Sequence, residues 1–535
     1  LYPWQRLVIA NILDSMHAGN SDARQNKDTI ISDPSDDDLY DEDGVLRGRQ
    51  IVLLPTGAGK SLCFQIPALL GSGPTLVIYP LLALMGDQKR RMDEGGLDPA
   101  IFRGNQTAEE REAQYKRLEG TDGRPPAQLI IANPEVLAGE KVLSRIAARK
   151  PCHIAIDEAH CVSEWGDSFR PSYLELGKLI TRLHPPAVTA FTATASPPVL
   201  KRISEVLYNG EAHLVRGEAD RPNIVYSVEH CRAKDAALVR EVLKRPRPLV
   251  VFCATRGGTE RVASLLRNVF FDTDIKFYHA GLQKDEKIEV ETWFHGHERA
   301  ILCTTCAWGM GVDKKDVRTV IHRDAPPTAE AYIQEAGRGG RDGTVAQAIL
   351  LWSPADLKRI QAKKDGLEKQ RALVLARMAQ SGECRRMVLL RALGDIRAGK
   401  DAPGGEQVLC AGCDICNGTA LKKGQEAMDT QVVLDYIDKN GRAFSKNEAE
   451  GSLCEAGNRV AFLQYGIRYW KRSDFSSILS ELIEEGKIRE RIYWPFMGSI
   501  EIPQTRRLNH HLQFGLHRLH RLRFLQRHLG PGLLL

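Results

Sequence analysis

The sequence predicts an α/β protein with two tandem parallel-sheet lobes, then a small helical segment tied by cysteines, then a helix-and-hairpin unit. Short β-rich runs alternate with helical patterns in two successive series, the signature of parallel sheets with crossover helices. A glycine-rich loop ends the first run and opens a helix, where such sheets present functional groups. Three close cysteines, "CAGCDIC" at 410–416, follow the second series. At 535 residues the chain exceeds a single core and suggests about three to five domains.

The elements follow in order. A polar stretch from about Gly19 to Gly48 lacks apolar periodicity and contains "DPSDDDLYDED" at 33–43, with seven acids and no base, which reads as a disordered loop. The first series is "QIVLLP" at 50, "TLVIYP" at 75, "QLIIAN" at 128, "HIAIDE" at 153 and "AVTAFTAT" at 187. The second is "PLVVFC" at 248, "DIKFYHA" at 274, "AILCTT" at 300 and "TVIHRD" at 319. Further on, "SDFSSILSELIEEGKI" predicts a helix capped by Ser473, with Phe475, Ile478, Leu479, Leu482 and Ile483 on one face. "IRERIYWPFMGSIEI" then reads as a hairpin with a glycine turn. Residues 505–535 hold six arginines, five histidines and no acid, and Leu508, Leu512, Leu516 and Leu519 recur at helical spacing, giving a basic amphipathic helix. That tail suits nonspecific DNA contact or docking onto the preceding unit.

Composition narrows the class. With 43% hydrophobic and 27% charged residues the chain reads as globular. No apolar run approaches the ~20 residues of a membrane span, and no signal peptide opens the chain, which starts at Leu1 without a methionine. Twelve cysteines without a secretion signal point to a reducing, intracellular compartment, where clustered cysteines bind metal. A net charge of +6 is compatible with a polyanionic partner but does not demand one.

Several motifs carry chemistry. In "LLPTGAGKS", Gly57, Ala58 and Gly59 let backbone N–H groups cradle phosphates, Lys60 supplies a point charge and Ser61 a hydroxyl for Mg²⁺; the strict pattern wants glycine at Leu54. Asp157 and Glu158 close "HIAI", where an aspartate can hold Mg²⁺ and a glutamate can orient water. In "YIQEAGRGGRDG", Arg338 and Arg341 lie three apart among glycines, suiting arginines that reach a nucleotide held by the other lobe. Trp165 and Phe169, in "CVSEWGDSFRP", offer faces for base stacking, and Arg170 a phosphate or nucleotide contact. Cys384, Cys410, Cys413 and Cys416 match a closed tetrahedral zinc site, although three cysteines so spaced also begin an iron–sulfur run.

Together the chain resembles the RecQ-type DNA helicases of superfamily 2 over nearly all of residues 1–418. The resemblance rests on "PTGAGKSLCFQIPAL", "DEAH" with "CVSEWGDSFRP", "FTATA", "DRPNI", "YHAGL", "AWGMGVDK" and "GRGGRDG", in family order. It implies two RecA-like domains, at 1–206 and 207–352, a zinc-binding subdomain at 353–418, a winged helix at 419–505 and a basic tail at 506–535. It implies a catalytic set of Lys60, Asp157, Glu158, His160, Gln334, Arg338 and Arg341. The ATP and Mg²⁺ set is Tyr2, Gln5, Thr56, Gly57, Ala58, Gly59, Lys60, Ser61 and Asp157, with Gln5 reading the adenine edge and Tyr2 standing where arginine is common. Thr192 and Thr194 match the motif linking hydrolysis to translocation, and residues 79–85 a segment associated with DNA contact. Zinc at the four cysteines is favoured over iron–sulfur by the resemblance and the distant fourth ligand. Implied partners are single-stranded and tailed duplex DNA, and single-stranded-DNA-binding or repair proteins. The implied activity is 3′ to 5′ unwinding in repair and recombination, in the bacterial cytoplasm or nucleoid, or the nucleus of a eukaryote.

One departure stands out. RecQ-type proteins usually read Trp-Gly-His-Asp-Phe-Arg where residues 165–170 are Trp-Gly-Asp-Ser-Phe-Arg, so Asp167 replaces a histidine. Tyr493, Trp494 and Phe496 crowd the predicted hairpin tip, as a wedge under the last base pair or as core. Two other functions share part of the pattern: an RNA-directed or duplex-translocating superfamily 2 motor, and a non-enzymatic DNA-binding scaffold. The first lacks a reason for the aromatic loop with four cysteines, and the second a reason for an intact set of Lys60, Asp157, Glu158 and Arg341.

Overall fold

The computed structural model describes residues 1–18, 40–54, 58–80, 82–164, 171–217, 220–308, 314–395, 410, 412–493 and 496–503. Thr56, Gly57, Trp165, Asp167, Phe169, Arg170 and Trp494 therefore lie outside the described residues, as do most of the acidic stretch and the basic tail.

The first sheet has seven strands: β1 (Arg49–Leu53), β2 (Thr75–Ile78), β3 (Ala100–Phe102), β4 (Leu129–Ala132), β5 (His153–Ile156), β6 (Ala187–Thr192) and β7 (His213–Arg216). Their order is β3-β4-β2-β5-β6-β1-β7, and every pair is parallel. β2, β4, β5 and β6 are buried at every position, which explains their unbroken apolar sequences: helices cover both faces. The second sheet contains β8 (Ile224–His230), β9 (Leu249–Phe252), β10 (Ile275–Tyr278), β11 (Ile301–Thr304), β12 (Thr319–His322) and β13 (Ala346–Trp352), in the order β10-β11-β9-β12-β13-β8, again all parallel.

Strand order decides where the chemistry lies. β1, which feeds the glycine loop, and β5, which ends at the two acids, flank β6 in the middle of the first sheet. Their C-terminal ends therefore open on one edge, where the chain reverses direction across the sheet.

The later segments are continuous with the second sheet in packing. Buried Ile224, Tyr226 and Leu350 share a core with Leu375, Met378 and Leu389 and with Cys413. On the other face Leu238, Val242 and Leu249 share one with Val433, Trp470, Phe475 and Leu479. Helices Met428–Lys439, Lys446–Tyr465 and Arg472–Glu484, followed by β14 (Arg489–Glu490) antiparallel to β15 (Ile500–Glu501), have the composition of a winged helix. Ser473 is not the cap of its helix: the helix starts one residue earlier, and the Asp474 carboxylate accepts from the Lys471 N–H at 2.8 Å. An aspartate in the first turn satisfies the orphan donor and sits well in the helix dipole. At the hairpin tip Tyr493 is 71% and Phe496 40% exposed, so these two do not form core.

All twelve cysteines are unbridged, and among the described residues no helix is long and apolar enough to cross a membrane.

Arg232 holds the C-terminal unit to the second sheet. Its guanidinium is 5% exposed and donates to Glu481 at 2.6 Å, Glu485 at 2.8 Å and Thr430 Oγ1 at 3.1 Å, while its N–H donates to Asp429 at 2.7 Å. Because both glutamates are partly solvated, Arg232→Ala should cost about 2–3 kcal/mol of local stability. Amide exchange in the helix Arg472–Glu484 should then accelerate by about 30- to 100-fold. Unchanged exchange there would remove Arg232 from the attachment.

Candidate active site

Gly59 stands between β1 and the helix Lys60–Leu70 with φ +75°. That backbone favours glycine, and a Cβ here would come within 2.7 Å of Gln5 Nε2. The approach is used in hydrogen bonding. Gln5 Nε2 donates to the Ala58 carbonyl at 3.1 Å and the Gly59 carbonyl at 3.4 Å, and Gln5 Oε1 accepts from the Tyr2 N–H at 2.8 Å. The 3% exposed Gln5 thus ties the helix Pro3–Ala18 to the loop. Its amide hydrogens are committed to backbone carbonyls, and one lone pair of Oε1 remains available. Tyr2 is 64% exposed and stacks on Trp4, with centroids 5.6 Å apart. Leu1, Tyr2, Gln5, Ala58, Gly59 and Leu62 line a cavity of about 400 Å³. Ser61 Oγ donates to Gln88 Oε1 at 3.4 Å, a partner that no sequence pattern signalled.

At the end of β5 the backbone turns sharply. Glu158 adopts φ +49°, a conformation that costs a residue with a side chain about 1–3 kcal/mol. The turn brings Glu158 Oε1 to 3.9 Å from Lys60 Nζ and Oε2 to 3.4 Å from His160 Nδ1. Burial raises the Asp157 carboxyl above its ordinary value. Burial acts on Glu158 in the same sense, but Lys60, His160 and Arg338 outweigh it and hold this carboxyl below the usual range. The two adjacent acids are therefore unlike: burial prevails at Asp157 and the neighbouring cations prevail at Glu158.

His160 links this pair to β6. Thr192 Oγ1 donates to the Thr194 carbonyl at 3.2 Å, leaving its lone pairs to the His160 Nδ1–H at 3.1 Å. All three side chains are buried.

The arginine loop comes from the other sheet. Arg338 is 4% exposed, lies 5.5 Å over the Trp308 ring, and has no hydrogen-bond partner at Nε or Nη1 among the described residues. Burial, then the like charge of Arg341, opposes its ionisation, and Glu335 and Glu158 favour it. A buried guanidinium with unused donors is costly unless an anion arrives. Gln334 lies one turn earlier on the helix Ala329–Ala336 and is half-buried, as is Arg341. The structure thus brings Lys60, Asp157, Glu158, His160 and Arg338 together across two sheets.

Sequence reading missed Arg221 and Asn223. They belong to the quoted "DRPNI", but neither had been given a role. Arg221 donates to the carbonyls of Gly337, Gly339 and Gly340, and Asn223 to those of Gly340 and Thr344.

The four sulfurs of Cys384, Cys410, Cys413 and Cys416 all lie within 4.8 Å of one another, with Cys413 and Cys384 at 3.9 Å. Zn–S bonds of ≈ 2.3 Å in a tetrahedron separate sulfurs by about 3.8 Å, so the donor set fits zinc. Asp414 anchors the cluster: it accepts from the buried Arg385 at 2.9 and 3.2 Å and from the Val228 N–H of β8 at 3.0 Å.

Comparison with known proteins follows this division. Residues 35–203 match the DEAD/DEAH box helicase family and 233–343 the helicase conserved C-terminal domain. The chain is 33% identical to the ATP-dependent DNA helicase RecQ of Haemophilus influenzae, over 83% of this chain and 72% of that protein. It is 31% identical to RecQ of Bacillus subtilis, over 82% of this chain and 74% of that protein. Among solved structures, the DEAD-box helicase Mss116 bound to ssRNA and UDP-BeF superposes with a TM-score of 0.52 at 16% identity, covering 90% of this chain and 86% of that one, a likeness of fold alone. Similarity to RecQ proteins of that extent, spanning both sheets and the cysteine cluster, makes this chain a member of the RecQ-type ATP-dependent DNA helicase family.

Proposed function

We propose that the chain hydrolyses ATP between its two RecA-like lobes and uses the cycle to step 3′ to 5′ along single-stranded DNA and separate duplex strands. The observation that carries this is the meeting of Lys60 and Glu158 from one sheet with the buried guanidinium of Arg338 from the other, whose Nε and Nη1 have no hydrogen-bond partner among the described residues. A γ-phosphate would satisfy Arg338 and replace Glu158 as the partner of Lys60, freeing that carboxylate to orient and deprotonate the attacking water. Ser61 and Asp157 would hold Mg²⁺, which supplies charge neutralisation of the phosphate oxygens. Backbone N–H groups of Thr56, Gly57, Ala58 and Gly59 are the donors this reading assigns to the phosphates. The adenine fits the cavity beside Tyr2 and Gln5, with the open lone pair of Gln5 Oε1 facing its exocyclic amine. Gln334 and Arg341 complete the contacts from the second lobe.

His160, Thr192 and Thr194 form the path by which the state of Glu158 reaches β6. Single-stranded DNA is read by Trp165, Phe169 and Arg170, six residues or more past the acids, through base stacking and a cationic contact. Zinc on Cys384, Cys410, Cys413 and Cys416 staples the module that follows the second sheet, and the exposed tip at Tyr493 and Phe496 suits the end of a duplex. Single-stranded-DNA-binding or repair proteins are the partners such an activity implies. A scaffold without catalysis has no use for a buried cationic cluster facing an ionised glutamate.

Three outcomes test the reading. Glu158→Gln should bind ATP within about threefold of the unchanged protein and lose turnover by about 10²- to 10⁴-fold; near-normal hydrolysis would overturn the assignment. Cys384→Ser should release zinc by elemental analysis and expose residues 353–418 to proteolysis, because metal binding contributes directly to folding. Iron in the intact protein would count against zinc. A duplex with a 3′ tail should be unwound with ATP and one with a 5′ tail should not. Equal activity on an RNA duplex would favour the RNA-directed motor.

A further inference from the structure

We propose that Arg221 is a positioning residue for ATP hydrolysis, which fixes the glycine turn bearing Arg338 and Arg341 by clamping its carbonyls. The inference rests on the reading of that arginine loop given above.

The turn Gly337–Gly340 has little side chain with which to define itself, and glycine backbones lose more freedom on ordering than any others. Its N–H groups continue the turns of the preceding helix, with Gly337 donating to Ile333 at 2.8 Å and Gly339 to Ala336 at 3.0 Å, while its carbonyls are held from outside. Arg221 Nη1 donates to the Gly337 carbonyl at 3.1 Å, and Nη2 donates to the carbonyls of Gly339 at 3.2 Å and Gly340 at 2.9 Å. Asn223 Nδ2 adds the Gly340 carbonyl at 2.7 Å and that of Thr344 at 2.8 Å. A planar guanidinium with a fixed fork of donors registers three carbonyls at once, which a lysine cannot do. Gly340 has φ +57°, and a Cβ there would strike Asn223 Nδ2 at 2.6 Å and the Thr344 carbonyl at 2.3 Å, so the clamp and the turn fit only each other.

Arg221 does this against charge. Burial, then the like charge of nearby Arg341, lowers its basicity. The carbonyls of Gly337, Gly339 and Gly340 hold this cation beside Arg341.

The clamp is itself braced. The Arg221 carbonyl accepts from Arg386 Nη1 at 2.9 Å and the Ile224 carbonyl from Arg386 Nη2 at 2.5 Å, while Arg386 Nη1 is paired with the Asp220 carboxylate. Arg386 is 1% exposed and lies two residues after Cys384. The strand-entry segment that carries Arg221 is thus pinned on one side by the cysteine module and grips the arginine turn with the other.

The test compares Arg221→Ala, Arg221→Lys, Arg341→Ala and the double variant Arg221→Ala with Arg341→Ala in the full chain, with kcat and KM for ATP measured on saturating single-stranded DNA. A misplacement of about 1 Å costs about 10²-fold in rate, so both Arg221 variants should lose about 10- to 100-fold in kcat with KM within about threefold. If Arg221 acts through Arg341, the double variant should be no more than about threefold slower than Arg341→Ala alone. Losses that multiply, full activity of Arg221→Lys, or a rise in KM with unchanged kcat would overturn the proposal. Should Arg221→Ala not fold, Asn223→Ala serves in its place, with a loss of about three- to tenfold in kcat expected; unchanged kcat would count against the clamp. Normal turnover by Arg341→Ala would instead refute the reading of the arginine loop, whatever Arg221 does.

Discussion

The site is organised around one expensive charge, the carboxylate of Glu158. Its side chain is 16% exposed at the end of a central strand, on a left-handed backbone, and burial opposes its ionisation. Lys60, His160 and Arg338 keep it ionised, and each is supplied by a different structural device. Lys60 begins a helix launched by a glycine that admits Gln5. His160 is oriented by Thr192 on the neighbouring strand. Arg338 arrives from the other sheet on a turn that Arg221 holds. Each of the three cations offsets part of the cost of burying that acid.

The residues that follow the second sheet are attached to it as firmly as its own helices. Leu389 and Cys413 lie in the same core as Tyr226 and Leu350, and Trp470 and Phe475 in the same core as Leu238 and Leu249. Arg385, Arg386 and Arg232 add buried polar ties at both junctions. Such packing joins both units to the second sheet through continuous cores.

Much of this was legible because parallel strands buried on both faces write themselves as unbroken apolar runs, and because the phosphate loop and acids sit where those runs end. The strands that escaped are of a different kind. Ala100–Phe102 has only three residues, and His213–Arg216 and Ile224–His230 are edge strands with polar positions on their open side. Ala346–Trp352 is apolar throughout its second half, yet follows the arginine loop so directly that no helical spacer announces it. Three of the four cysteines declared themselves by spacing, and the distant Cys384 was joined to them through the family resemblance. The hydrogen bonds of Arg221 could not be read in this way, because a guanidinium gripping carbonyls 116 to 119 residues away leaves no local pattern.

The likeness to an RNA-bound DEAD-box structure at 16% identity separates what is generic here from what is particular. The parallel-sheet fold is what is shared; on it the glycine loop, the paired acids and the arginine turn meet around Glu158. Further features of this chain come after residue 352: sulfurs gathered within 4.8 Å, a helix-and-hairpin unit, and a tip that leaves Tyr493 and Phe496 in solvent. These units share cores with the second sheet, so whatever they contact is tied by packing to the half of the molecule that carries Arg338 and Arg341.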